Sequence, residues 1–195
     1  MRSSGNGKVH DDGIDASEAI NNLVVDEVLD ASMYAIFSLG MLPVDNPRVD
    51  ATMKAIDAEL RVKTKVGGVA RNTDDYYHQV VNDNEDVPGN PWFICTLWMA
   101  EWHIDRATSV DELKPAAEIL DWVADHALGS GVLAEQVNPL NNDPMSVSPL
   151  TWSHATVVST LTRYMDKLAD LKGEGATSVH DEKPRRHSPH VVAQP

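Results

Sequence analysis

Apolar residues along this chain recur at intervals of three and four, and the segments with that spacing predict helices. In "NPRVDATMKAIDAEL", Val49, Met53, Ile56 and Leu60 share one face, with Asn46 and Pro47 placed to start the helix. In "DASMYAIFSLG", Asp30 can cap a short apolar helix that stops at Gly40. The segment "NPWFICTLWMAEWHI" repeats the Asn-Pro start at Asn90 and Pro91, then stays apolar on nearly all sides to Ala100, which predicts a buried central helix. In "SVDELKPAAEILDWVADHALGSG", Ala116, Ile119, Leu120, Val123 and Ala127 form a stripe that ends before Gly129. Its start is ambiguous, because Ser109 and Glu112 resemble a capping box while Pro115 suits a first turn. A last helix follows Ser148 and Pro149 and has Leu150, Val157, Val158, Leu161, Tyr164, Met165 and Leu168 at helical spacing. A weaker pattern runs from about Asp15 to Leu29. No segment alternates convincingly as a strand, so the expected fold class is all-α.

The organisation that follows is a flexible N-terminus over 1–14, a helical domain over 15–171 and a disordered tail over 172–195, where apolar content is too low to offset the entropy of ordering. Among 195 residues, 30 acidic side chains against 16 basic ones give a formal charge of −14, which works against nucleic acid and anionic membranes as partners. The acids are scattered, as on a strongly solvated surface. Such a surface suits either a high-salt cytoplasm or an ordinary acidic protein. Cys95 lies in an apolar run and reads as packing. The eight histidines offer no His-x-x-x-His pair and no Cys partners, so neither a metal nor another cofactor is expected. "SSGNGKV" lacks the first glycine and the closing Ser or Thr of a phosphate-binding loop. With no apolar signal region at the start and no stretch long enough to span a bilayer, the expected location is cytoplasmic.

Two polar connections are longer than helix-to-helix links usually are, and long ordered loops tend to carry function. One, "VGGVARNTDDYYHQVVNDNEDVPG", holds Arg71, Asp74, Asp75, Tyr76 and Tyr77. The other, "SGVLAEQVNPLNNDPMSVSPLTWSHA", holds Glu135 near its start, with glycines before it and Pro139, Pro144 and Pro149 after it. Read from the residues alone, Glu135 is either a solvated loop carboxylate or a positioned base. Arg71 is either a surface cation balancing Asp74 and Asp75 or a forked donor to hydroxyls.

Taken in order, "GGVAR", "DDYY", "GNPWFICTLWMAEW", "SGVLAEQVNP" and "SVSPLTWSHA" resemble the C-terminal half of the glucoamylase-like glycoside hydrolases of family fifteen, from about Asp30 to Lys167. "DNPRV" adds to the likeness. The resemblance implies part of an (α/α)6 toroid of helical hairpins, here the C-terminal half of a six-hairpin barrel. It implies inverting exo-hydrolysis of α-glucosidic bonds in an oligosaccharide or disaccharide. On this likeness Glu135 matches the general base and Arg71 the arginine that contacts the terminal sugar. Gln136 becomes a sugar or water contact, and Trp92, Trp152 and Tyr76 become rings for sugar faces, with packing the job of at least one tryptophan and the same two readings open to Tyr76 and Tyr77. Trp98, Trp102 and Trp122 are assigned to packing, and Glu101 to a helix surface.

The family's general acid lies in an upstream Trp-Glu segment that has no counterpart here, and five or six helices are fewer than the toroid needs. The resulting expectation is a fragment or split half, with a second chain supplying the rest. The alternative is a non-catalytic helical remnant or interaction module of the same fold.

Overall fold

The computed structural model describes residues 28–81 and 86–173. Helix α1, Ala35–Ser38, continues a 3-10 turn over Ala31–Tyr34 whose first amides are capped by Asp30, with Ser32 N–H donating to the carboxylate at 2.7 Å. Helix α2, Pro47–Leu60, begins as its sequence predicts: Asn46 accepts from Arg48 N–H, Pro47 opens the first turn, and Val49, Met53, Ile56 and Leu60 are all buried. Helix α3, Phe93–Arg106, is buried from Phe93 through Trp102 and is the centre on which the other helices pack. It starts after Asn90 and Pro91 because Asn90 is not a cap. Its side-chain amide donates to His78 O and Gln136 Oε1 and its oxygen accepts from Val80 N–H, leaving Trp92 as the last non-helical residue.

Helix α4, Lys114–His126, is preceded by a 3-10 turn over Asp111–Leu113, so Pro115 falls in the first turn. Ser109 and Glu112 form no reciprocal capping box; Glu112 instead accepts from both the backbone and the hydroxyl of Thr108. Ala116, Ile119 and Val123 are buried, and Leu120 and Ala127 pack against the core beside them. Helix α5, Thr151–Lys172, lies along α3 and ends at Gly173 in the left-handed region, φ 70°.

The apolar spacing of α5 marks its buried face only in part: Val157, Tyr164 and Leu168 pack against the core and the rest of the stripe does not. The fully buried residues are Ser153, Thr156 and Thr160, while Val158, Leu161 and Met165 are exposed. Tyr164, Leu168 and Leu171 continue the buried face toward the C-terminal end of the helix and pack against the core. A two-stranded antiparallel ribbon, β1 Gln136–Val137 with β2 Pro144–Met145, adds the one paired strand element among the described residues. Two residues per strand are too few to show alternation in the sequence.

The segment 1–14 and most of the expected weak helix to Leu29 lie outside the described residues, as does the chain beyond Gly173. Among the described residues no helix is long and apolar enough to cross a membrane.

Candidate active site

The loop between α4 and α5 is ordered by a ladder of bonds along its length. Leu128 N–H donates to Val132 O, Glu135 N–H to Val147 O, Val137 N–H to Pro91 O and Asn138 N–H to Asp143 O. Thr64 reaches across to Pro139 O at 2.6 Å, and Ser153 to Ala134 O at 2.8 Å. These bonds satisfy a long stretch of irregular backbone, as a packed loop requires. They also fix Glu135 between buried neighbours, Ala134 and Gln136, while Glu135 itself is half-buried.

The Glu135 carboxylate accepts the hydroxyl of Ser146, which belongs to the returning arm of the same loop. Ser146 stands at φ 63°, a conformation in which non-glycine residues are uncommon and which the surrounding ladder must hold. Its oxygen lies 3.4 Å from the Tyr77 hydroxyl. The Tyr77 ring in turn flanks Arg71, whose guanidinium carbon is 5.6 Å from its centroid and 4.8 Å from that of Trp92. Glu135 and Arg71, 64 positions apart in the numbering of the chain, are thus joined through Ser146 and Tyr77.

Arg71 is anchored by Asp75. Its Nη2 donates to Oδ1 at 2.6 Å, the Trp92 indole donates to Oδ2 at 3.2 Å, and Tyr77 N–H donates to Oδ1 at 3.1 Å. The Asp75 side chain is 1% exposed and that of Arg71 is 38% exposed. A carboxylate this deep is retained because three donors satisfy it. The turn that presents it uses left-handed backbone at Asp74 and His78, φ 57° and 56°.

The strand-like run into Arg71 depends on Gly68. At φ 82° it packs so tightly that a Cβ would meet Pro91 Cβ and the Trp122 ring, each at 2.7 Å. Next to it, Val69 N–H donates to the Thr96 hydroxyl of α3 at 2.9 Å and Trp92 N–H to Val69 O, so the Arg71 segment is tied to the start of α3.

Of the residues singled out from sequence, Glu135, Arg71, Trp92 and Gln136 come together. Gln136 is fully buried: its oxygen accepts from Asn90 at 2.8 Å and its amide donates to Tyr77 O at 3.5 Å, so it holds the wall behind the cluster. Trp92 is 4% exposed, with its ring spent on Arg71 and Asp75. Tyr76 is exposed and makes no ring contact within the cluster; Tyr77 makes them instead. Trp152 is 53% exposed at the start of α5, 6.0 Å from Trp98, which stacks on Tyr34 at 4.2 Å.

Asp75 and Ser146 join the cluster without having been singled out as its members, and of the two tyrosines weighed as rings it is Tyr77 that belongs to it. The adjacent Asp-Asp and Tyr-Tyr pairs concealed which of each is inward, since a one-residue step reverses the face in extended backbone. Trp98 and Trp102 are buried as assigned. Glu101 is not on a helix surface: it is buried under α5, accepts from Thr160 at 3.0 Å and pairs with Arg163 at 3.5 Å. Burial pushes its carboxyl above the ordinary range against the opposing pull of Arg163. Among the described residues no group of His, Cys, Asp and Glu is arranged to hold a metal ion.

Comparison with known proteins agrees with this architecture. The sequence profile of glycosyl hydrolases family 15 matches residues 18–114. An uncharacterized glycosyl hydrolase of Methanocaldococcus jannaschii is 30% identical over 149 residues, 71% of this chain and 22% of that protein. A trehalase of Mycolicibacterium smegmatis is 23% identical over 163 residues, 83% of this chain and 23% of the trehalase. In structure, a bacterial glucoamylase complexed with acarbose superposes with TM-score 0.61 at 24% identity, over 72% of this chain and 21% of the glucoamylase. The glucoamylase of Hormoconis resinae gives TM-score 0.53 at 18% identity, over 75% of this chain and 34% of that one. The chain spans about a fifth of the length of the curated relatives it matches. It has part of the helical toroid fold of glucoamylase, and by sequence and fold it is a relative of the family 15 glycosyl hydrolases.

Proposed function

We propose that this chain carries the base-bearing part of a glucoamylase-like site that hydrolyses α-glucosidic bonds with inversion. Glu135 is the general base: its ionised carboxylate takes a proton from water as that water attacks the anomeric carbon. A carboxylic acid on the opposite face protonates the leaving oxygen. That acid comes from outside the described residues or from a second chain, set roughly 6.5–9.5 Å from Glu135 to leave room for the water. Arg71, stacked between two rings, donates to hydroxyls of the terminal sugar. The exposed rings of Trp152 and Tyr76 cover its apolar faces, while Trp92 and Gln136 hold the wall that orients them.

The observation that carries this reading is the link from Glu135 through Ser146 and Tyr77 to Arg71, which joins a polar carboxylate to a stacked cation. A non-catalytic module of the same fold is the competing reading. It is favoured by Asp75, the other carboxylate of the cluster, being already bound by Arg71 and Trp92.

The test incubates the chain, alone and co-expressed with a polypeptide supplying the remainder of the fold, with maltose, a maltooligosaccharide, an α-1,6 dextran and trehalose. Release of β-glucose by proton NMR, reduced roughly 10²–10⁴-fold in Glu135→Gln, is the expected result. Acarbose binding without turnover in either preparation favours the non-catalytic module. Neither binding nor turnover by a folded preparation removes the hydrolase reading.

A further inference from the structure

The Glu135 loop is fastened to the start of α5 by three bonds, and one of them depends on a proton. Leu150 N–H donates to Leu133 O at 3.0 Å and Ser153 to Ala134 O at 2.8 Å, and neither partner titrates. The third runs from Leu133 N–H to His154 Nε2 at 3.1 Å. A backbone amide can only donate, so this bond needs a lone pair on Nε2, with the ring proton on Nδ1. An imidazolium would set an N–H against an N–H across that distance.

The groove beside the ring offers it no counter-ion. His154 borders a groove of about 360 Å³ to which α4 contributes Leu120, Val123, Ala124 and Ala127, the loop Gly131 and Leu133, and α5 itself two valines and a leucine. His154 is the one ionisable residue lining the groove, and none of the others carries a charge. The loop's own carboxylate, Glu135, is two residues from Leu133 and is engaged by Ser146. A ring that gains a proton there loses its acceptor role, and no carboxylate lines the groove beside it; the acids of the neighbouring elements, Asp121 and Asp125 on α4 and Glu135 on the loop, are not among its lining residues.

We propose that His154 is a positioning residue, a proton-sensitive clasp that holds the Glu135 loop while its ring is neutral and releases Leu133 when the ring is protonated. The tether is a property of the fold. Its consequence for hydrolysis rests on the reading of Glu135 as the base, because a base must keep water within hydrogen-bond reach.

Amide hydrogen exchange of the ¹⁵N-labelled full chain tests the clasp without requiring turnover. The protection factor of Leu133 is followed across pH beside the His154 ring nitrogens, with the buried Thr96 amide as a check on global folding. In the wild type, protection falls about tenfold as the His154 ring itself titrates, the loss expected for one hydrogen bond. In His154→Gln, whose amide oxygen has similar reach and cannot be protonated in this range, protection stays level across pH. In His154→Ala it is low throughout while Thr96 stays protected. Unchanged Leu133 protection through the ring's titration, or a fall in His154→Gln that matches the wild type, overturns the proposal. Absence of hydrolysis in every variant bears on the base assignment alone and leaves these outcomes readable.

Discussion

Asp75 shows how one side chain sets the position of another. Its carboxylate is 1% exposed, faces an arginine that is 38% exposed, and receives two further donors from Trp92 and Tyr77. Replacing a buried member of such a set costs more than the pair contributes, because the remaining groups lose their acceptor. Asp75→Asn keeps the shape but turns one of the two acceptor atoms into a donor facing Arg71 or the Trp92 indole. The expected loss is roughly 2 kcal/mol, below the figure for a fully buried pair because Arg71 retains access to water. Urea unfolding measures that loss, and acarbose titration should show weaker binding in the same variant as Arg71 leaves its place over Trp92. Arg71→Lys should not restore binding in an otherwise wild-type chain, since an ammonium lacks the planar face that stacks between Tyr77 and Trp92. Full acarbose affinity in Asp75→Asn would mean that the carboxylate does not orient the cation.

Among the elements, α5 departs most from its own pattern. Its neighbour α3 is buried along most of its length and presents Glu101 to α5, which meets it with small hydroxyl residues: Ser153, Thr156 and Thr160 are buried, and Val158, Leu161 and Met165 are left outside. The expected outcome is a reversal of ordinary substitution rules. Ser153→Leu or Thr160→Leu should destabilise by about 1–3 kcal/mol through overpacking. Val158→Gln and Leu161→Gln should stay within about 0.5 kcal/mol in thermal unfolding. Equal costs on both faces would contradict the assigned orientation. The same interface has a pH signature. Burial raises the Glu101 carboxyl, so the folded state holds that proton more tightly than the unfolded chain does. Stability from this group is complete below the ordinary carboxylate range and is lost as pH rises through the elevated value. The unfolding midpoint of Glu101→Gln should therefore gain on the wild type as pH rises from about 4 to 7. A difference independent of pH would mean that Arg163 compensates the charge fully. These elements also show what could be read in advance. The cap and face of α2 were legible because Asn46, Pro47 and four spaced apolar residues all agree with the fold. The start of α3 was not, because Asn90 offers the same letters but spends its amide on His78 and Gln136. The face of α5 was legible only in part, since Val157, Tyr164 and Leu168 pack inward as spaced but helical spacing does not say how much of a stripe a neighbour covers. At the candidate site, the sequence order of motifs pointed to Glu135 and Arg71, while the intervening Ser146 and Tyr77 depend on a loop crossing that no local pattern encodes.

At the scale of the whole molecule the dominant quantity is charge, with 30 acidic and 16 basic side chains and a formal net of −14. Two opposing effects of salt follow from it. Exposed ion pairs such as Lys54–Asp50 at 2.7 Å and Lys114–Glu118 at 3.8 Å lose strength on screening, but solvent already leaves pairs of this kind little to lose. The Arg71–Asp75 and Arg163–Glu101 contacts each have one deeply buried partner and are screened much less. Against these small losses stands repulsion among the excess carboxylates, which compaction brings closer together than they are in the unfolded chain. The screening length shortens from about 10 Å at 0.1 M to about 3 Å at 1 M, less than the spacing of most unpaired surface charges. Repulsion is spread over many pairs whereas attraction is confined to a few, so relief should outweigh loss and the thermal midpoint should rise between about 0.1 and 1 M potassium chloride. Sodium chloride at equal ionic strength should give nearly the same rise, which separates screening from the surface exclusion that sulfate would add. A midpoint that falls with either salt would mean that the few exposed pairs, rather than the net charge, govern the stability of this fold.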